Sequence, residues 1–195
     1  MARFDNAFKI TVGHEGKFST DQDDNGNWTG GKKGAGIFKG TKYGISAKAY
    51  PTLDIKNLSL DNAKAIYKKD YWDKYGFDKI NNEQLAFKAF DLAVNTGPGT
   101  SIKLLQDAVG ITKTGVLDNY TTNLINKTES TSLYNRFLGK VEEYYKGRET
   151  FWKHGAGWLS RLYKDKPATT IGIGVGSIIV IAIAGYFIYQ KYYSK

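Results

Sequence analysis

The sequence predicts a mainly α, α+β fold: a helical body with a small Gly-rich β-hairpin or loop region near the N-terminus, followed by one C-terminal transmembrane helix. Three observations carry this. Apolar residues recur at helical spacing through most of residues 1–166. Between residues 19 and 46 that spacing stops, and seven glycines with clustered Asp and Asn replace it. Residues 171–189 are almost wholly apolar, and no charged residue lies between Lys166 and Lys191.

The elements follow in order. Phe4, Phe8 and Val12 mark one stripe of a first helix, closed by the glycines of residues 13–16. Residues 19–46 are then too rich in Gly, Asp and Asn to continue it. Ser59 is placed to cap a helix that buries Ala63, Ile66, Tyr67 and Tyr71. A further helix is expected over about residues 83–95, stopped by Gly97-Pro98, and another over about residues 101–109, stopped by Gly110. Residues 131–149 read as a longer amphipathic helix through Leu133, Phe137, Val141 and Tyr145. The expected division is 1–100, then a helical region 101–163 packed on it, a linker 164–170 and the membrane helix 171–190.

A membrane-spanning helix needs roughly 20 apolar residues to cross a ~30 Å hydrocarbon core. Residues 171–190 meet that length, with Tyr186, Tyr189, Tyr192 and Tyr193 at the far end as an interfacial belt would place them. Lipid is therefore one expected partner. Gly172 and Gly176 have the small-xxx-small spacing that permits weak self-association. Basic residues flank both sides of the segment, so charge does not set its orientation. No N-terminal signal peptide is read, because Asp5 and Asn6 interrupt any apolar run.

Composition narrows the chemistry. There is no cysteine and there are two histidines, so neither thiolate nor His-rich metal sites are expected, and no cofactor is implied. The net charge of +9 favours an anionic polymer or surface as partner. The lysines are scattered and no nucleic-acid-binding motif is present, so nucleic acid is not expected.

Glu15 stands at the end of the first helix, directly before the Gly-rich region. A carboxyl group among aromatic side chains can keep its proton near neutral pH and serve as a general acid. Asp21, Asp23 and Asp24 follow it, and Asp24 could face it across a turn, although such a loop fits a surface turn equally well. Trp28 fits a sugar-stacking platform or a hairpin core. Asp91 and Asn95 lie one helical turn apart, suited to bracing a buried helix or to holding substrate. Gln106 is open to the same two readings.

The run of residues 14–19 (HEGKFS), then Asp21, Asp23, Asp24 and Gly26, then residues 41–46 (TKYGIS) resembles the N-terminal signature of glycoside hydrolase family 108. Residues 67–72 (YKKDYW), Phe90-Asp91 with residues 93–97 (AVNTG), and Leu105-Gln106 with Gly115 and Thr121 resemble further motifs of that family in the same order. The resemblance spans about residues 5–160. It implies a lysozyme-like fold, a catalytic region over residues 1–100, a peptidoglycan-binding-like region over 101–163, and an N-acetylmuramidase that cleaves the β-1,4 bond between N-acetylmuramic acid and N-acetylglucosamine of peptidoglycan. It also implies Glu15 as general acid, Asp24 and Thr41 as its catalytic partners, and Trp28, Tyr43, Asp91, Asn95 and Gln106 as substrate-binding candidates. The stretch of residues 27–40 departs from the short family pattern and leaves Thr29 as a rival to Thr41. The expected setting is a single-pass protein of a viral or bacterial inner membrane with its catalytic part facing peptidoglycan, as in phage penetration or lysis. A membrane-tethered protein that binds peptidoglycan without cutting it is the alternative.

Overall fold

A computed structural model describes residues 2–13 and 18–164. Glu15, His14 and the expected membrane segment 171–190, with Gly172 and Gly176, lie outside the described residues. Among the described residues no helix is long and apolar enough to cross a membrane. The chain divides into two units, Met1–Ser101 and Ile102–Lys195.

The first unit opens with helix α1 (Ala2–Val12), which ends at Gly13 with φ of 63°. Its buried stripe is Phe4, Ala7, Phe8 and Thr11, while Val12 is half-buried. The i, i+3, i+4, i+7 spacing of that stripe is the period of an α-helix facing a core. Next comes a loop with a 3₁₀ turn (Asn25–Asn27), then a hairpin of β1 (Thr41–Lys42) and β2 (Ile45–Ser46) in antiparallel register, Thr41 opposite Ser46 and Lys42 opposite Ile45. Single bridges pair Ser19 with Thr41 and Trp28 with Phe38. Residues 19–46 thus hold a loop and a minimal hairpin.

Helix α2 (Leu60–Tyr67) begins where expected, with the Ser59 hydroxyl accepting from the Asn62 N–H at 3.1 Å. Of its expected core residues, Ala63 and Tyr67 are buried but Ile66 and Tyr71 are only half-buried. For Tyr71 the reason is a π-helical turn, Lys68–Asp73, which follows α2 directly. It adds a residue to the turn, so the next core position after Tyr67 is Trp72. Helix α3 (Glu83–Thr96) is capped by Asn82 and closed by Gly97 at φ of 93°. It packs on α1. Phe90 sits fully buried at the centre of an aromatic cluster, 5.9 Å from Phe4, 5.5 Å from Trp72, 6.3 Å from Phe77 and 6.5 Å from Tyr67 between ring centroids.

Helix α4 (Pro98–Val109) begins three residues earlier than the sequence suggested. Proline is favoured in a first helical turn, where the missing N–H would have no partner; here it starts a helix that the Gly97-Pro98 pair was expected only to stop. The second unit continues with α5 (Asn119–Lys127), which the sequence analysis did not anticipate, then α6 (Ser130–Lys146) and α7 (Phe151–Tyr163). Helix α6 ends at Gly147, short of the expected residue 149. Leu133, Phe137, Val141 and Tyr145 are buried along it as expected. Tyr163 of α7 donates to Glu142 of α6, which also pairs with Lys146 at 2.6 Å.

Candidate active site

The Asp-rich loop is organised by a residue that sequence reasoning passed over. Asn27 is fully buried. Its side-chain amide donates to the Asp21 carbonyl at 2.8 Å and the Ser19 hydroxyl at 3.3 Å, and its Oδ1 accepts from the Thr41 hydroxyl at 2.6 Å. Its carbonyl accepts from the N–H groups of Lys39 and Gly40, and its own N–H donates to the Asp24 carbonyl at 3.1 Å. A buried amide must have its hydrogen bonds met inside the protein, and here they are met by the two flanks of the loop. Only an Asn offers two donors and an acceptor on so short a stem.

Thr41 is therefore held from three directions. Its backbone pairs with Ser19 on one side and Ser46 on the other. Its hydroxyl proton is committed to Asn27, which leaves the oxygen lone pairs to accept. Asp24 is exposed and caps the 3₁₀ turn, one carboxylate oxygen accepting from the Gly26 N–H at 2.8 Å. Asn27 thus ties Asp24 through the backbone and Thr41 through its side chain. Glu15 lies outside the described residues.

Thr29 is placed differently. Its hydroxyl accepts from the Ile37 N–H at 2.8 Å, and its backbone N–H donates to the Ile37 carbonyl. It closes the neck of the 30–36 turn. Gly36, at φ of 75°, packs so closely there that a Cβ would come within 2.3 Å of the Thr29 hydroxyl. Trp28 is half-buried, its ring 5.2 Å from Phe38 and its indole N–H donated to the Gln22 carbonyl at 2.9 Å. Of its two readings, the packing favours the hairpin core.

Tyr43 and Gly44 form the two-residue turn between β1 and β2, both at positive φ (53° and 76°). Both central positions of a type I′ turn need such a conformation, which matches the twist of the flanking strands. Tyr43 is the non-glycine residue at positive φ among those described, and such strain costs on the order of 1–2 kcal/mol. The Tyr67 hydroxyl covers the turn, donating to the Tyr43 carbonyl at 3.0 Å and sitting where a Cβ at Gly44 would collide.

Asp91 is buried on α3 and its carbonyl accepts from the Asn95 side-chain amide at 2.6 Å, while Asn95 is exposed. Gln106 is buried in the second unit. Its amide donates to the Thr114 hydroxyl at 2.8 Å, the Val116 carbonyl at 3.0 Å and the Thr121 hydroxyl at 3.3 Å, and accepts from the Gly115 N–H at 2.8 Å. Its bonding capacity is used in pinning residues 114–116 to α5, so the bracing reading is the one its contacts favour. Among the described residues no group of His, Asp and Glu could hold a metal ion.

A loop that presents an exposed carboxylate, Asp24, and an oriented threonine hydroxyl, Thr41, carries groups suited to hydrolysis at an acetal carbon. Residues 8–97 match the model of the glycosyl hydrolase 108 family. The match begins within α1 and ends at Gly97, so it takes in residue 15, the Asn27 loop, the hairpin and α3. The structure of Brucella abortus SagA is similar, with a TM-score of 0.68 and 25% identity over 84% of this chain and 91% of that chain. That likeness is in keeping with a lysozyme-like α+β fold. No curated protein matches the chain.

Proposed function

We propose that the protein is a peptidoglycan hydrolase, an N-acetylmuramidase that cuts the β-1,4 bond between N-acetylmuramic acid and N-acetylglucosamine. The single observation that carries this reading is the glycosyl hydrolase 108 match over the segment that contains Glu15, Asp24 and Thr41.

In this reading Glu15 is the general acid that protonates the glycosidic oxygen. The C–O bond breaks, an oxocarbenium-like sugar forms, and water adds to the anomeric carbon. Thr41 and Asp24 hold that water. The Thr41 hydroxyl proton is already given to Asn27, so the oxygen can only accept, and a water bound there turns a lone pair outward to attack. The exposed carboxylate of Asp24 takes the proton that water loses. Thr41 is preferred to Thr29 because the Thr29 oxygen already serves the Ile37 N–H. Tyr43, Asp91 and Asn95 remain substrate-side candidates.

The apolar segment 171–190 is assigned as a single membrane anchor. A tethered hydrolase cuts within reach of its linker, which suits local wall opening in phage penetration or lysis, with Gly172 and Gly176 available for weak self-association. The charge of +9 draws the enzyme to the anionic wall.

The test is digestion of purified Gram-negative peptidoglycan by the full chain, with identification of the sugar at each new reducing end. N-acetylmuramic acid at those ends is the expected result. N-acetylglucosamine there, or release of peptides with intact glycan, would contradict the assignment.

A further inference from the structure

The π-helical turn Lys68–Asp73 has an effect beyond the core. Had α2 continued as an α-helix, the stripe through Ala63 and Tyr67 would next bury residues 70, 71 and 74. The extra residue moves the core position to Trp72 instead, which is buried, and leaves Asp70 and Tyr71 half-buried and Lys74 exposed. Those three side chains, with Tyr50, Tyr75 and Pro98, line an open groove of about 370 Å³ within the first unit. π-turns of this kind occur frequently at functional sites.

The groove is built. The Tyr50 hydroxyl donates to Asp70 Oδ2 at 2.9 Å, fixing the carboxylate. Burial and the Asp70 charge push the Tyr50 phenol far above its ordinary range, so it remains a donor. The Lys74 ammonium lies 5.6 Å from the centroid of the Tyr75 ring. One wall is tied to the catalytic hairpin: the Tyr50 N–H donates to the carbonyl of Ser46, the residue paired with Thr41. The other wall continues from Tyr67, whose hydroxyl holds the hairpin turn.

Tyrosine faces flanking a fixed carboxylate are what a pyranose ring needs: its C–H face packs on the rings and its hydroxyl or amide N–H groups donate to the carboxylate oxygens. We propose that this groove is a glycan subsite, holding one N-acetylated aminosugar of the strand away from the bond that is cut, with Asp70 as hydrogen-bond acceptor and Tyr71 and Tyr75 as the stacking rings. The assignment rests on the muramidase reading for its physiological ligand.

The experiment is calorimetric titration of the full chain with chitotetraose, a peptide-free N-acetylglucosamine tetramer, beside peptidoglycan digestion by the same preparations. The variants are Asp70→Asn, Tyr75→Ala and, as a control lining a different surface, Lys56→Ala. The expected result is binding by wild type and Lys56→Ala, weakened about tenfold in each groove variant. On peptidoglycan the groove variants raise KM and leave kcat near wild type. Asp70→Asn is nearly isosteric, and its circular dichroism guards against misfolding as the cause. No binding by wild type, or equal binding by the groove variants, overturns the subsite. Binding with this pattern but no cleavage of peptidoglycan keeps the subsite and overturns the muramidase reading instead.

Discussion

Replacing Asn27 with alanine removes three side-chain hydrogen bonds and leaves the Asp21 carbonyl without its amide donor and the Thr41 hydroxyl without its acceptor. An unmet buried polar group costs roughly 1–3 kcal/mol, and thermal denaturation of Asn27→Ala should show a loss in that range. Activity should fall further than stability, because the freed Thr41 hydroxyl can rotate and donate instead of accepting. Thr41→Val and Thr29→Val each leave one partner unmet, the Asn27 Oδ1 and the Ile37 N–H, so both lower the melting temperature; turnover on peptidoglycan per folded molecule drops by at least tenfold in Thr41→Val and is spared in Thr29→Val. Equal activity in both variants would remove Thr41 from the mechanism. Glu15, Asp24 and Thr41 stand as candidates because the family motif names them. Asn27 was not, since one more Asn among Asp and Gly residues reads as a turn former, and its burial depends on strand bridges that sequence periodicity does not encode. Gln106 was visible as a candidate, but its use in holding residues 114–116 depends on the loop folding back over it.

Helix boundaries were read well where a cap signals them in the local chemistry. Ser59 and Gly97 both act as expected. The misses have separate causes. The π-turn was hidden because its residues, YKKDYW, continue a helical pattern without Gly or Pro. Helix α5 was missed because it is short and polar, burying Thr121, Thr122 and Ile125 against its own unit. Pro98 reads as a stop and serves as a start. In the core, Phe90→Ala should destabilise by about 3–5 kcal/mol, since Phe90 touches rings from α1, α2, the π-turn and the segment before α3. The second unit carries a pH signature. The Asp118 carboxylate, bonded by the Thr121 N–H, and the Glu129 carboxylate, bonded by those of Ser132 and Thr131, both sit below their ordinary values of 3.8 and 4.5. Depressed carboxylates contribute their full stability above the ordinary value and lose it as pH falls through the lowered one. The melting temperature of wild type should therefore fall between pH 5 and pH 2, and that fall should be shallower in Asp118→Asn, where an amide caps α5 at every pH.

At the scale of the whole molecule, a chain of net charge +9 is suited to an anionic polymer such as the wall proposed as its substrate. Attraction between exposed charges is screened within a Debye length of roughly 8–10 Å at moderate ionic strength. KM on peptidoglycan should therefore rise steeply with added salt while kcat changes little, and a flat KM would show that charge does not guide the encounter. The helical body with its small hairpin was legible because one Gly-rich interruption in a helical pattern has few solutions, while the expected membrane helix lies outside the described residues. The proposed chemistry rests on the ordered motifs, since composition alone fits many basic helical proteins. The most direct test of the account is a side-by-side digestion of purified peptidoglycan by the full chain and its Glu15→Gln variant, with the new reducing ends identified. The account predicts muramic-acid ends from wild type and a loss of at least a hundredfold in rate from the variant, the scale of removing a general acid. Undiminished cleavage by Glu15→Gln would contradict it.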